Sequence, residues 1–216
     1  MRKWPIPQRI SLAQAKRLCE KYHAYQSISS VGEHWGCIIG GEVVAAFSWQ
    51  PPPPGAAKKY CPGFPQGVLA LSRMVATPKA ERGWHLSKPL KWLMKKGLDR
   101  VRWPVLLTFA DTSVGHCGNV YKCSGWQYDG DSLVYTKNGK RISAYSNGKT
   151  NPKGKISSEG VVRGKATLKR YLHRSCPPGE ELDRLLKAGW ERVPTGKKWK
   201  SGNPAYKWIK NPDLGY

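Results

Sequence analysis

The chain has 216 residues, 39% of them hydrophobic, which is enough to bury one sizeable core, and its ten Trp and ten Tyr argue against a disordered chain. The net charge of +23, from 37 Lys and Arg against 14 Asp and Glu, makes nucleic acid the expected partner, although a ribosomal or merely solubilising role stays open. No run approaches the roughly 18 apolar residues of a membrane span, so no membrane association is expected.

The six Cys form no C-x-x-C pair and no zinc spacing, which indicates buried thiols in a reducing compartment. Residues 1–10 lack the apolar segment of a signal peptide. We therefore expect a cytosolic protein.

Ser11 opens the first predicted helix, because a Ser with Gln14 three residues later forms a capping box. Apolar side chains then recur at helical spacing up to Tyr22. His23 follows at the helix end, where the dipole favours a histidine and where a side chain can also face a cleft.

Two β-rich runs follow at 34–39 and 43–49, and Gly40-Gly41 between them is a two-residue hairpin signal. Four consecutive prolines then lack the amide donors of a sheet, so residues 50–67 are predicted to be a loop. The next strand is expected at 68–75.

Ser87 begins a predicted helix that Gly97 ends, and lysines cover its outer faces. Its amino end, preceded by Arg82-Gly83, could hold a phosphate or pyrophosphate, because helix amino ends attract anions. A solvated lysine face is an equally good interpretation. Residues 104–110 form a buried strand by their apolar continuity.

Polar residues stand near the ends of these two strands, Arg73 on the first and Asp111 after the second. Strand ends of this kind are where ligands bind in open sheets. Arg73 can hold a phosphate or carboxylate, and Asp111 can be a base, a metal ligand or the partner of Arg73 in a structural ion pair. In Gly115-His116-x-Gly118 the glycines let backbone approach a ligand, and His116 can titrate near neutrality.

A short helix from about Cys117 to Ser124 carries Tyr121, for which a place in the core is the common interpretation. After it, residues 126–137 are predicted to pair through Asn138-Gly139 with 141–145.

The remainder is strongly basic. Residues 147–164 are predicted to be a mobile loop, a short helix is expected within 178–188, and two strands flank a Lys-aromatic loop. Lys197, Lys198 and Trp199 in that loop suit phosphate contact and base stacking. The chain is accordingly divided into a catalytic core at 1–146 and a basic, aromatic-rich extension for DNA binding at 147–216.

One set of motifs carries a resemblance: Leu71-Ser72-Arg73, Ala110-Asp111, Gly115-His116, Gly118, Tyr121 and Gly125-Trp126. Their order and spacing resemble the bacteriophage Mom family of DNA-modification proteins over about residues 13–130. The resemblance implies an α+β fold like that of acyl-CoA N-acetyltransferases, with a mixed central sheet flanked by helices. It also implies conversion of adenine in double-stranded DNA to an N6-carbamoylmethyl derivative, which protects phage DNA from restriction in the host cytoplasm.

The resemblance assigns roles to individual residues. It implies catalysis by His23, Arg73, Asp111 and Tyr121, donor binding by Ser72, Arg82, Gly83 and Ser87, and substrate or DNA contact by Gly115, His116 and Ser124. Tyr121 resembles the Tyr that many acetyltransferase-like enzymes use as acid at the leaving thiol. The family has a His-Tyr pair where this chain has His23-Ala24, which leaves Tyr22 or Tyr25 to supply the phenol.

Acetyl-CoA or another acyl or aminoacyl donor is expected as the source of the transferred group. Plain acetyl transfer does not yield a carbamoylmethyl amine, so a cofactor beyond acetyl-CoA, an aminoacyl donor or a later rearrangement is needed. His23 and Asp111, with His116 or a Tyr as third ligand, could make a mixed nitrogen and oxygen site that suits iron or manganese. The resemblance implies that the metal is iron. Two other functions stay open: a non-catalytic basic nucleic-acid-binding protein, for which charge and aromatic residues suffice, and a plain N-acetyltransferase.

Overall fold

The computed structural model describes residues 4–83, 85–137, 140–142, 161–198 and 204–211. The strands are β1 (Gln8–Arg9), β2 (Glu33–Ile39), β3 (Glu42–Gln50), β4 (Val68–Ala76), β5 (Val105–Asp111), β6 (Gln127–Lys137), β7 (Lys140–Ile142), β8 (Val161–Arg174), β9 (Trp190–Lys198) and β10 (Pro204–Lys210). The helices are α1 (Leu12–Tyr22), α2 (Pro54–Tyr60), α3 (Pro78–Gly83), α4 (Ser87–Trp92), α5 (Asn119–Cys123) and α6 (Glu181–Lys187). A π-helical turn over Leu93–Gly97 continues α4.

Eight strands form one mixed sheet in the order β1-β2-β3-β4-β5-β8-β6-β7, and β9 pairs with β10 in a separate ribbon. Helices cover both faces of the sheet, because alternate side chains of β4 and β5 point to opposite sides. Leu69, Leu71 and Leu106 pack with Leu90 and Leu93 of the α4 segment. The intervening Ala70 and Leu107 pack instead with Tyr60 and Phe64. The expected mixed sheet flanked by helices is confirmed.

The predicted start of the chain is also confirmed. The hydroxyl of Ser11 accepts from the amide of Gln14, whose side chain accepts from the Ser11 amide, so the capping box forms. Buried α1 residues, among them Ala15 and Leu18, pack against Val75 of β4. The helix is thereby fixed beside the strand that carries Arg73.

The predicted loop at 50–67 was wrong in part, because it contains α2. Its first residue is Pro54, a position where proline favours a helix, since the missing amide would be unpaired there anyway. Ala57 and Tyr60 then bury the inner face of the helix.

The sheet opens between β4 and β5. These strands run parallel and pair from Val68–Val105 to Leu71–Thr108, where pairing ends although both strands continue. At the same level of the sheet, the pairing of β4 with β3 contains a bulge. Trp49 of β3 pairs with Leu71 and the adjacent Ser48 pairs with Arg73, so β4 has one extra residue there. Such a bulge reverses the side on which later side chains lie. Two strands therefore separate at their carboxyl ends, with Arg73 on one and Asp111 on the other.

β8 lies inside the sheet, paired with β5 on one side and β6 on the other. It follows the boundary expected at residue 146, so the sheet takes in residues from both sides of that boundary. Residues 161–164 belong to this strand and correct the end of the predicted loop at 147–164. The rest of that predicted loop lies outside the described residues, as does the predicted Asn138-Gly139 turn between β6 and β7.

The ribbon of β9 and β10 docks at the amino ends of β4 and β5. The Trp208 ring packs against that of Phe64, with centroids 5.2 Å apart, and Arg102 lies over both Phe64 and Trp190 at 5.7 Å. Arg174 of β8 pairs with Glu181 of α6 at 2.8 Å, which ties α6 to the sheet. Among the helices described, none is long and apolar enough to cross a membrane.

Candidate active site

A cavity of about 710 Å³ occupies the gap between β4 and β5. Its walls come from both separated strand ends, from the end of α1 and from the segment between β5 and α5. Of the residues expected in a catalytic or binding role, it is lined by His23, Ser72, Arg73, Ser87, Asp111, Gly115, His116 and Tyr121. The structure thus brings together residues that are about a hundred positions apart in sequence.

Asp111 is the buried acid of this cavity, with only 3% of its surface exposed. Its Oδ1 accepts from the amide of Ser113 at 2.9 Å and from the Ser113 hydroxyl at 2.5 Å. Its Oδ2 accepts from the phenol of Tyr25. These hydrogen bonds fix the Asp111 carboxyl group as an acceptor facing Tyr25.

Tyr25 is therefore the phenol that reaches the acid. The Arg73 guanidinium lies over its ring, 5.5 Å from the centroid. Arg73 also donates from Nε to the carbonyl of Ser27 at 2.7 Å and from a terminal nitrogen to the carbonyl of Ser72 at 2.7 Å. These bonds hold the positive charge beside the Tyr25 phenol.

His23 lies at the end of α1 and accepts a hydrogen bond through Nδ1 from the amide of Tyr25 at 3.1 Å. In a neutral imidazole this places the proton on Nε2. Burial, together with the smaller effects of the Arg73 and His116 charges, lowers the pKa of His23 to about 4. His23 is consequently neutral near pH 7, and its ring fixes the backbone of Tyr25.

The turn after β5 brings His116 to the cavity, with its ring centroid 6.3 Å from that of His23. Its amide donates to the carbonyl of Asp111 at 3.1 Å. Gly118 has a φ of +78° and lies so close to Tyr171 that a Cβ atom would be 2.3 Å from the phenolic oxygen. Only glycine fits that position, because any side chain would meet both the strained backbone and the buried Tyr171.

Tyr121 lines the cavity from α5 and is also part of the core. Its ring packs against Trp126 and Tyr171 at 5.9 and 5.3 Å. Burial raises the pKa of the Tyr121 phenol, so this group keeps its proton at neutral pH. The two interpretations of this residue, core side chain and proton donor, are compatible in this position.

The residues expected to bind the donor lie on two sides of the gap. Ser72 donates its hydroxyl to the carbonyl of Ser48 at 3.0 Å beside the bulge. Ser87 lines the cavity at the first turn of α4, and Glu81 of α3 joins it there. Arg82 and Gly83 end α3.

The residues expected to contact DNA are dispersed. Ser124 is buried, and its hydroxyl donates to the carbonyls of Val120 at 2.7 Å and Ser87 at 3.2 Å. The side chain therefore joins α5 to α4 and does not reach the surface, contrary to expectation. Lys197 and Lys198 are exposed at the end of β9, away from the cavity walls, and Trp199 lies outside the described residues.

The iron site expected from the resemblance does not fit these residues. Within the described ranges, no three His, Cys, Asp or Glu side chains are grouped so as to hold a metal ion. Both oxygens of Asp111 already accept hydrogen bonds, and Nδ1 of His23 accepts from the Tyr25 amide. The proton that this leaves on Nε2 occupies the ring nitrogen through which His23 would otherwise bind a metal.

Sequence reasoning did not single out Gln50 and Phe109, which also line the cavity. Gln50 precedes the prolines, and Phe109 is one apolar residue in a buried strand, so neither interrupts the local pattern. Only the point at which β4 and β5 separate shows that both positions border the gap.

Known proteins resemble this chain in family and in fold. The model of the Mom protein family matches residues 6–174. Among solved structures, the ribosomal-protein-alanine N-acetyltransferase from Brucella melitensis has a TM-score of 0.50 and 12% identity, covering 78% of this chain and 99% of that chain. An acetyltransferase from Bacillus subtilis in complex with CoA has a TM-score of 0.49 and 8% identity, covering 81% of this chain and 100% of that chain.

No curated protein sequence matches the chain. The match to the family model covers most of the chain and includes the strands, the turn and the helix that build the cavity. The chain belongs to the Mom protein family and has an acetyltransferase-like fold.

Proposed function

We propose that this chain is a transferase that converts adenine in double-stranded DNA to its N6-carbamoylmethyl derivative, and that the modification protects phage DNA from restriction in the host cytoplasm. One observation carries this proposal. In a chain of the Mom family, a buried Asp111 accepts from the phenol of Tyr25 at the mouth of the gap, with Arg73 against the same ring.

An adenine stacked in a duplex cannot reach a buried carboxylate. Enzymes that act on a base within DNA turn it out of the stack into a pocket. The cavity volume of about 710 Å³ lies within the range of roughly 300–1,000 Å³ that is typical of small-ligand sites. There is room for an extruded base and the reacting end of a donor.

The pair of Tyr25 and Asp111 can remove the proton that an amine loses when it becomes substituted. The Tyr25 oxygen can accept an N6–H hydrogen while its own proton points at Asp111 Oδ2. A proton leaving N6 can thus pass to the Tyr25 oxygen as the phenolic proton passes to Asp111. Arg73 stabilises the negative charge that develops on the phenol, because it lies 5.5 Å from the ring centroid.

His23 acts in this scheme as a positioning residue for Tyr25, through the bond from the Tyr25 amide to Nδ1. Tyr121 holds a proton on the α5 side of the gap, where burial raises the pKa of its phenol. The two phenols therefore differ: Tyr25 faces a carboxylate acceptor, whereas Tyr121 is a weak acid in the core.

The donor fits on the α4 side. The cavity extends to Ser87 at the first turn of α4 and to Glu81 on α3, on the sheet face opposite Tyr60 and Phe64. A plain acyl-CoA would leave an N6-acyl group, whereas an aminoacetyl donor bound there balances the reaction. N6 bonds to its carbonyl carbon as the bond to the leaving group breaks, and Tyr121 on the α5 side can protonate that leaving group. The aminoacetyl group has the same atoms as a carbamoylmethyl group, so rearrangement gives the proposed product without a further reactant.

DNA is proposed to contact both the cavity mouth and the exposed lysines of the ribbon, including Lys197 and Lys198. The ribbon docks at the amino ends of the strands, and β5 spans about 20 Å from Val105 to Asp111 at ~3.3 Å per residue. A duplex that reaches both places would combine backbone contacts at the ribbon with base chemistry at the cavity.

Mass spectrometry of nucleosides from plasmid DNA co-expressed with the chain tests the function. We expect an adenosine carrying a carbamoylmethyl group with the wild-type chain and none with Asp111→Asn or Arg73→Ala. Both variants should remain soluble and folded. An acetylated adenosine would indicate plain acetyl transfer, and DNA that is bound yet unmodified would indicate a non-catalytic binder.

A further inference from the structure

Gln50 places a side-chain amide in the half of the cavity that faces away from α4. It is the last residue of β3 and pairs with Ala70 of β4. Ala70 and Leu107 share the face covered by Tyr60 and Phe64. Gln50 and Asp111 therefore border the same side of the gap, since Asp111 lies an even number of positions after Leu107 along β5 and so shares its face of the sheet.

The Gln50 amide oxygen has no hydrogen-bond partner among the residues that the structure describes, although that oxygen is buried. A buried amide acceptor without a partner is costly, and native proteins rarely leave one unsatisfied. Gln50 lines the cavity, so a ligand there can supply the missing donor.

Phe109 gives the same half of the cavity an exposed aromatic surface. Its side chain is 37% exposed although its neighbours Thr108 and Ala110 are buried. Pro52, Pro53 and Leu168 line the cavity on this side with further apolar surface. A planar, partly apolar ligand with a hydrogen-bond donor at its edge fits these walls.

We propose that Gln50 is the residue that recognises the target base as adenine and that Phe109 stacks on it, an inference that rests on the proposed function. The Gln50 oxygen accepts one hydrogen of the adenine N6 amine, and its amide nitrogen donates to an adjacent ring nitrogen. The second N6 hydrogen is left for Tyr25. Guanine has an oxygen in place of that amine. Two hydrogen-bond acceptors, this oxygen and the Gln50 oxygen, would then face each other, which disfavours guanine.

The test uses Gln50→Leu, which keeps a similar volume and removes both hydrogen bonds. The matched control is Gln127→Leu, because Gln127 is exposed at the start of β6. Binding of adenosine, guanosine and cytidine to each purified protein is followed by NMR titration, and nucleosides from co-expressed DNA are followed by mass spectrometry.

We expect the wild-type chain and Gln127→Leu to prefer adenosine over guanosine by about 10- to 100-fold, the discrimination typical of a paired amide contact. Cytidine presents the same amine beside a ring nitrogen, so this contact does not reject it. Gln50→Leu should lose that preference and a similar factor in adenine modification while binding duplex DNA as before. Phe109→Leu should weaken the binding of all three nucleosides by a similar factor, because stacking does not depend strongly on base identity.

Equal binding of adenosine and guanosine to the wild-type chain would overturn the assignment. A level of adenine modification by Gln50→Leu within twofold of wild type would also overturn the assignment, and it would leave the proposed transferase function intact. An adenosine preference that disappears in Gln50→Leu supports the assignment of Gln50 to base recognition. If no modified nucleoside forms in that case, the proposed reaction is refuted but the assignment of Gln50 stands. If Gln50→Leu does not fold, Gln50→Glu keeps an acceptor but loses the donor and should lose the preference as well.

Discussion

Replacing Tyr25 by Phe removes one oxygen and leaves the ring beneath Arg73 in place. Asp111 then loses the hydrogen bond at Oδ2. A hydrogen bond to a charged group contributes about 1.5–3 kcal/mol, so the free energy of unfolding should fall by that amount. For a chain of this size the melting temperature should fall by roughly 3–12 °C, at about 2–4 °C per kcal/mol.

The same change should reduce adenine modification far more than stability alone requires. General acid–base groups contribute about 10²- to 10⁴-fold to rate, and Tyr25 is the proposed first acceptor of the N6 proton. The matched control is Tyr22→Phe, because Tyr22 lies at the same helix end with 38% of its surface exposed. That variant should behave as wild type in both measurements.

The assay compares nucleosides from co-expressed DNA by mass spectrometry, with urea unfolding of each purified protein alongside. Modification by Tyr25→Phe within threefold of wild type, with the protein folded, would refute the proton path. A large loss in Tyr22→Phe and none in Tyr25→Phe would assign the phenol to the other tyrosine.

Three further outcomes are expected. The free energy of unfolding should fall as the pH drops from 6.5 toward 4. The pKa of His23 is about 4 in the folded chain, so the unfolded chain binds the proton first. Urea titrations of His23→Gln should show a shallower fall. In urea unfolding, Gly118→Ala should lower the free energy of unfolding by about 1–3 kcal/mol more than Gly125→Ala does. Both glycines have a positive φ, but only a Cβ at position 118 would meet a buried phenol, at 2.3 Å. Substituting Lys197 and Lys198 by Ala should lower the slope of log affinity against log salt by about 0.9 for each DNA phosphate that is no longer neutralised, and an unchanged slope would place DNA elsewhere.

Local signals predicted the first half of the fold well. The Ser11 capping box, the Gly40-Gly41 hairpin and the strands carrying Arg73 and Asp111 were all confirmed, because each depends on neighbours within a few residues. The convergence of Arg73 and Asp111 also followed from the sequence, since both stand where an apolar strand ends.

Long-range features were less visible. Val161–Arg174 carries basic residues and a Gly within a strand paired on both sides, so no clean alternation marks it. The choice of Tyr25 over Tyr22 depends on where the chain turns after α1, and the ribbon's position depends on Phe64 and Trp208 meeting across the fold. None of these can be read from spacing alone.

The late position of β8 in the chain has a consequence for synthesis. During translation β5 and β6 are both complete before β8 exists, and each presents an unpaired edge to solvent. The register of Asp111 with Leu168 joins residues far apart in sequence, and contacts of this kind form slowly. Leu168 of β8 lines the cavity, so the cavity reaches its final shape only after β8, the last strand of the sheet to be synthesised, has paired with β5.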